Sequence, residues 1–160
     1  MQKASDHRMS IKKIVNPEEF SSICNDLELH YREENKIYGH RYLSISKQTI
    51  IDSWGHAALL NNTMHVWANL EDGKARGLIM FLEYMHPTFG EKIFTEYFWL
   101  SNNPKKSFSL FKTALSFAKR KGMKYVSVSC VENYPTSERL KKVYQKMGFQ
   151  KDSETFIKKL

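Results

Sequence analysis

Cysteine is scarce in this sequence. There are two in 160 residues, Cys24 and Cys130, with no CxxC spacing. A disulfide-stapled secreted scaffold is excluded, and a reducing, cytoplasmic setting is expected. No apolar run approaches the roughly eighteen residues that cross a bilayer, so no membrane partner is expected. Met1–Ser10 is polar and lacks the hydrophobic stretch of a secretory signal. There is no Gly-x-Ser-x-Gly, no Walker A loop, no dinucleotide fingerprint and no HExxH. Serine-hydrolase, P-loop, dinucleotide-binding and zinc-peptidase chemistry therefore have no anchor. His7, His30, His40, His56, His65 and His86 are scattered without ligand spacing, so no metal site is expected.

Acidic residues are also outnumbered. Seventeen Asp and Glu face 25 Lys and Arg, giving a net charge of +8 and a pI near 9.4. A basic surface suits nucleic acid, an anionic cofactor or an acidic protein. The lysines fall in separate pairs, Lys12–Lys13, Lys105–Lys106, Lys141–Lys142 and Lys158–Lys159, with no arginine-rich tract. That spread reads as a solvated surface, and nucleic acid is not the expected partner.

The length fits one domain spanning 1–160, with residues 1–10 as a flexible N-terminal arm. Asn16-Pro17-Glu18-Glu19 is a helix start, with Asn16 as cap. Phe20, Ile23, Cys24 and Leu27 then recur at helical spacing, predicting a helix over Pro17–Arg32. Glu33–Ser46 has no clean period. A second helix is predicted over Lys47–Leu60. Strands follow at Met64–Leu70, Ala75–Met85 and Lys92–Leu100. Asp72-Gly73 turns the first hairpin and His86–Gly90 the second. Ser107–Lys121 reads as a buried helix with Phe108, Phe111, Leu115 and Ala118 on one stripe, and Gly122 stops it. Val126, Val128 and Cys130 alternate in a strand over Lys124–Val131, where Cys130 reads as core packing rather than a nucleophile. Pro135–Met147 is a helix with Leu140, Val143, Tyr144 and Met147 inward, and Phe149–Lys159 is a last strand. The order αα-βββ-α-β-α-β implies an α/β (α+β) fold with a mixed, mostly antiparallel central sheet flanked by helices. The hairpins require antiparallel pairing, and the passage through 92–131 suggests one parallel crossover.

This order resembles the GNAT (Gcn5-related N-acetyltransferase) superfamily. The resemblance rests on Asn133, on the Tyr144-x-x-x-Gly148-Phe149 phrase that ends a helix, and on the terminal Thr155–Leu160. Glu96–Leu100, a loop, and a helix ending Phe117–Gly122 look like the family's fourth strand and third helix. The likeness covers about Met64–Leu160 and is greatest to small GNAT proteins encoded by bacteriophages, which would place the chain in a host cytoplasm or a virion. It implies transfer of an acetyl group from acetyl-CoA to a small-molecule or protein amine. It implies Tyr144 as the acid toward the leaving thiolate, and Glu96 or Glu83 as the base. Both carboxylates sit in apolar runs, so desolvation should raise their pKa. Backbone groups of Phe98, Trp99 and Leu100 would hold the acetyl and pantetheine parts, with Asn133 close by. Aromatics between Tyr31 and Trp54 either line the acceptor pocket or pack the first helices on the sheet.

The family's pyrophosphate loop is Gln/Arg-x-x-Gly-x-Gly/Ala. The corresponding Asn102–Ser109 has no glycine. Either the N–H groups of Lys106, Ser107 and Phe108, with the charge of Lys105 and Lys106, take over the anion, or the fold serves as a catalytically inactive binding module. That module would be a virion or host-interaction component, with a homodimer as a further arrangement.

Overall fold

The computed structural model describes residues 9–38, 59, 61–88, 90–130 and 137–153. In chain order these form β1 (Met9–Ile14), α1 (Pro17–Tyr38), β2 (Met64–Glu71), β3 (Lys74–Met85), β4 (Lys92–Ser101), α2 (Pro104–Arg120), β5 (Tyr125–Ser127) and α3 (Ser137–Lys146). The strands lie in one sheet in sequence order, antiparallel except for the parallel β4–β5 pair. The expected mixed, mostly antiparallel sheet flanked by helices is the architecture found.

Several boundaries move. Met9 and Ser10, expected in the N-terminal arm, already belong to β1. This edge strand escapes sequence patterning because its middle residues are exposed on both faces. Helix α1 runs on to Tyr38, past the expected Arg32. Helix α2 begins at Pro104 rather than Ser107, because Asn103 caps it and proline is at ease in the first turn. Met147, expected inward, is exposed. Apart from helical, buried Leu59, the predicted helix 47–60 lies outside the described residues, as does residues 154–160 of the last strand. Residues 149–153 are not a strand.

Each turn has a local cause. Asn16 Oδ1 accepts from Glu19 N at 2.8 Å and starts α1. Asp72 and Gly73 both take positive φ, 51° and 78°, as the tight β2–β3 hairpin requires. Gly148, at φ 89°, lets Phe149 N donate back to Tyr144 O at 3.0 Å and closes α3.

Two apolar layers sandwich the sheet. Phe20, Ile23 and Leu27 of α1 pack against Val66, Leu78, Met80 and Leu100 on one face. Leu110, Phe111, Ala114 and Phe117 of α2, with Tyr144 of α3, pack against Trp67, Ile79, Phe81 and Phe94 on the other. Phe81 and Phe94 stack at 4.4 Å with their planes 8° apart. Phe111, fully buried, makes ring contacts with Phe81, Trp99, Phe108, Tyr144 and Phe149. At the edge, β1 reaches both layers: Lys12 pairs with Glu19 of α1, and Lys13 Nζ lies 4.3 Å above the Phe117 ring of α2. No described helix is long and apolar enough to cross a membrane.

Phe111→Ala should leave a cavity at the meeting point of sheet, α2 and α3. A loss of about 3–5 kcal/mol is expected, read from the urea midpoint.

Candidate functional site

The site begins with an irregularity in β4. Strands β3 and β4 pair from Gly77–Ser101 to Met80–Phe98 and resume at Phe81–Glu96, leaving Tyr97 as the extra residue of a β-bulge. The insertion switches faces. Upstream, Phe94 packs on the α2 side, and Glu96, two residues on, projects the same way. Downstream, Phe98 packs on the α1 side and Trp99 on the α2 side. Without the bulge Trp99 would face α1.

On its other edge β4 loses its neighbour. The β4–β5 ladder covers Ile93–Tyr125, Phe94–Val126 and Thr95–Ser127, and stops there. Among the described residues, no strand lies along that edge from Glu96 to Ser101. The first group past the last rung is the Glu96 carboxylate, which accepts from Ser129 N at 3.2 Å. A side chain thus replaces the main-chain ladder and spans the parting.

Glu96 is a carboxylate in an apolar setting. Burial pushes its pKa up to about 7, against the opposing pull of the Ser129 N–H. Tyr144 is near enough to feel it. Burial first, then the charge on Glu96 and then Cys130, hold the phenol above its ordinary range. Tyr144 is 5% exposed, and its hydroxyl has no hydrogen-bond partner. Cys130 packs against the same cluster, and burial pushes its thiol up, which disfavours a nucleophilic thiolate.

Glu83 is a different case. Its Oε1 accepts from Lys92 Nζ at 2.9 Å, and its Oε2 lies 3.0 Å from His65 Nε2, which must be the donor. Burial acts to raise its pKa, but bonds from Lys92 and His65 prevail and hold it below the ordinary range. The raised pKa expected of Glu83 is therefore not found. An ionised carboxylate with two partners is structural glue. His65 is buried among Phe94, Phe117 and Trp67, and burial keeps its pKa low despite Glu83.

The mouth of α2 departs from an open anion cradle. Asn103 Oδ1 accepts from Lys106 N at 3.3 Å, and Asn103 O accepts from Ser107 N at 2.9 Å. Pro104 has no N–H to give. Two of the three N–H groups expected to face an anion are therefore already engaged, contrary to the reading from sequence. Asn69, buried on β2, donates to Lys106 O at 3.3 Å and ties this turn to the sheet. Lys106 Nζ is half-exposed, 3.9 Å from Glu71. Lys105 lies in the first turn of α2, and Phe108 packs beside Phe111. Asn133 lies outside the described residues.

The sequence points to Glu96, Trp99 and Tyr144 but not to the Ser129 bridge, the Tyr97 bulge or the unpartnered indole and phenol groups. The apolar run around Glu96 signalled its pKa, but neither bulge nor parting leaves a mark in hydrophobic period. Among the described residues, no three His, Cys, Asp or Glu side chains gather as a metal site.

A mostly antiparallel sheet flanked by helices is likewise the fold of solved acetyltransferases. Three solved structures illustrate the likeness. A predicted acetyltransferase from Clostridium acetobutylicum, crystallised with acetyl-CoA, has a TM-score of 0.69 and 14% identity over 95% of this chain and 96% of its own. An aminoglycoside acetyltransferase from an uncultured soil metagenomic sample has a TM-score of 0.66 and 12% identity over 97% and 98%. The ribosomal-protein-alanine N-acetyltransferase of Brucella melitensis biovar Abortus 2308 has a TM-score of 0.66 and 10% identity over 96% and 99%. No family model matches the sequence, and no curated protein matches it.

Because the folded pKa of Glu96 lies above that of an unfolded glutamate, its protonated form stabilises the native state. That contribution is complete below about pH 4.5 and is lost as pH rises through about 7. Glu96→Gln keeps an acceptor for Ser129 but cannot ionise. Relative to wild type, it should gain up to about 3 kcal/mol between pH 4 and pH 8 in urea unfolding. A constant difference across that range would show that Glu96 titrates normally.

Proposed function

We propose that this chain is an acyl-CoA-dependent N-acetyltransferase that moves an acetyl group from acetyl-CoA to an amine. One observation carries the reading: at the parting of β4 and β5, Glu96 titrates near neutrality while the buried Tyr144 hydroxyl nearby lacks a partner. Similar folds are seen in proteins crystallised with acetyl-CoA and with sisomicin, and in one named for acting on ribosomal-protein alanine. Both small-molecule and protein amines therefore remain in view.

The residues divide the work. Glu96, ionised above about pH 7, takes a proton from the substrate ammonium and leaves a neutral amine. The neutral nitrogen then attacks the thioester carbon, the carbon–sulfur bond breaks, and the nitrogen gives its surplus proton to water. Tyr144 serves the leaving sulfur. A free phenol, pKa about 10, is already a weaker acid than a thiol, about 8.5, and burial weakens this one further. The hydroxyl therefore stabilises the thiolate by donating a hydrogen bond, and the sulfur acquires its proton from water afterwards. The β4 edge at Phe98, Trp99 and Leu100, which has no neighbouring strand among the described residues, supplies the seat for the acyl arm. At the pyrophosphate end, charge on Lys105 and Lys106 replaces the N–H groups that Asn103 has taken.

That engaged helix mouth is the one observation favouring a second reading, a GNAT fold without turnover that binds a virion or host protein. Calorimetry with acetyl-CoA separates the two. Binding at about micromolar Kd is expected, and none at about millimolar ligand would sink the enzyme. With a primary-amine acceptor, kcat/KM should rise with pH through about 7, and Glu96→Gln should abolish that limb. Tyr144→Phe should lower kcat about ten- to a hundredfold with little change in KM, without loss of stability, because the hydroxyl has no partner to lose.

A further inference from the structure

Among the described residues, three buried side-chain polar atoms have no hydrogen-bond partner: Thr95 Oγ1, Trp99 Nε1 and Tyr144 Oη. Leaving such a group unpaired costs about 1–3 kcal/mol, so each calls for a reason. Trp99 and Tyr144 share one surrounding, since both pack against Phe111, at 5.4 and 5.5 Å between ring centres. Thr95 belongs elsewhere, because it pairs with Leu82, whose side chain packs in the α1 layer.

The position of Trp99 is built. The bulge at Tyr97 turns it onto the α2 face, and stacking on Phe111, 13° from parallel, fixes its plane. It stands on the stretch of β4 whose outer edge β5 has left. An indole N–H can only donate. A hydrophobic role alone would be met by phenylalanine at less cost.

We propose that the Trp99 indole N–H is a binding donor for an amide carbonyl of the pantetheine arm of acetyl-CoA. This inference rests on the acetyltransferase reading and adds to it a side-chain contact beside the main-chain edge of β4. Trp99 is a positioning residue: it registers the arm along β4, so that the thioester reaches Glu96 and Tyr144.

The test uses the full chain and two probes, acetyl-CoA and adenosine 3′,5′-bisphosphate, which lacks the pantetheine arm. Trp99→Phe removes the N–H and keeps a ring against Phe111. Calorimetry should show acetyl-CoA binding weakened about five- to tenfold, bisphosphate binding unchanged, and an equal or higher Tm. In wild-type protein labelled with 15N at the indoles, the three tryptophans give three N–H signals. The Trp99 signal, assigned by its loss in the variant or by ring-specific relaxation if that variant does not fold, should move downfield with acetyl-CoA and not with the bisphosphate. Unchanged acetyl-CoA affinity in the variant, equal weakening of both probes, or an unmoved Trp99 signal in the acetyl-CoA complex would overturn the inference and leave the enzyme reading standing. Absence of acetyl-CoA binding to the wild-type chain would overturn both.

Discussion

The parting of β4 from β5 is the constraint around which the site is arranged. A parallel ladder that continued past Thr95–Ser127 would seal the edge of β4 with main-chain bonds. Instead the Glu96 carboxylate takes the Ser129 N–H and holds the strands one side chain apart. That spacing accounts for the carboxylate's chemistry as well. A glutamate wedged between strands is poorly solvated and resists ionisation. The bulge at Tyr97 completes the arrangement by bringing Trp99 to the face that Phe94 and Glu96 already share. One inserted residue thus puts Trp99 on the same side of the sheet as Glu96 and Tyr144.

The two parts of the proposed site are built on different physics. Around Phe111 the surroundings are apolar and the polar atoms few, so each retains its full strength. At the mouth of α2 Asn103 engages the Lys106 and Ser107 N–H groups, and lysine charge stands beside them. Charge in solvent acts at a distance and is screened by salt, whereas N–H groups act at contact. Any anion held there is attracted more than it is gripped.

Much of the fold was legible because its elements are patterned. The α2 stripe of Phe111, Ala114 and Phe117, the Asp72-Gly73 hairpin and the Tyr144-to-Phe149 closure all follow from period and turn chemistry. β1 was not legible, since an edge strand exposed on both faces has no alternation to read. For the site, the apolar run around Glu96 announced a perturbed carboxylate correctly. The same argument failed for Glu83, whose partners His65 and Lys92 lie 18 and nine residues away in sequence and meet it only through strand pairing. Desolvation can be read from neighbours in sequence, whereas compensation by a partner is a property of register.

The lysines of β1 have a meaning beyond the two layers they touch. β1 is the first strand of the sheet, and among the described residues its outer edge has no partner. Such an edge invites pairing with the edge of another copy, the route by which folded sheets aggregate. Lys12 points to one face and Lys13 to the other, each anchored to the helix beneath it. Two copies meeting edge to edge would bring these cations together on both faces. The strand that clasps the sandwich shut therefore also guards it against polymerising.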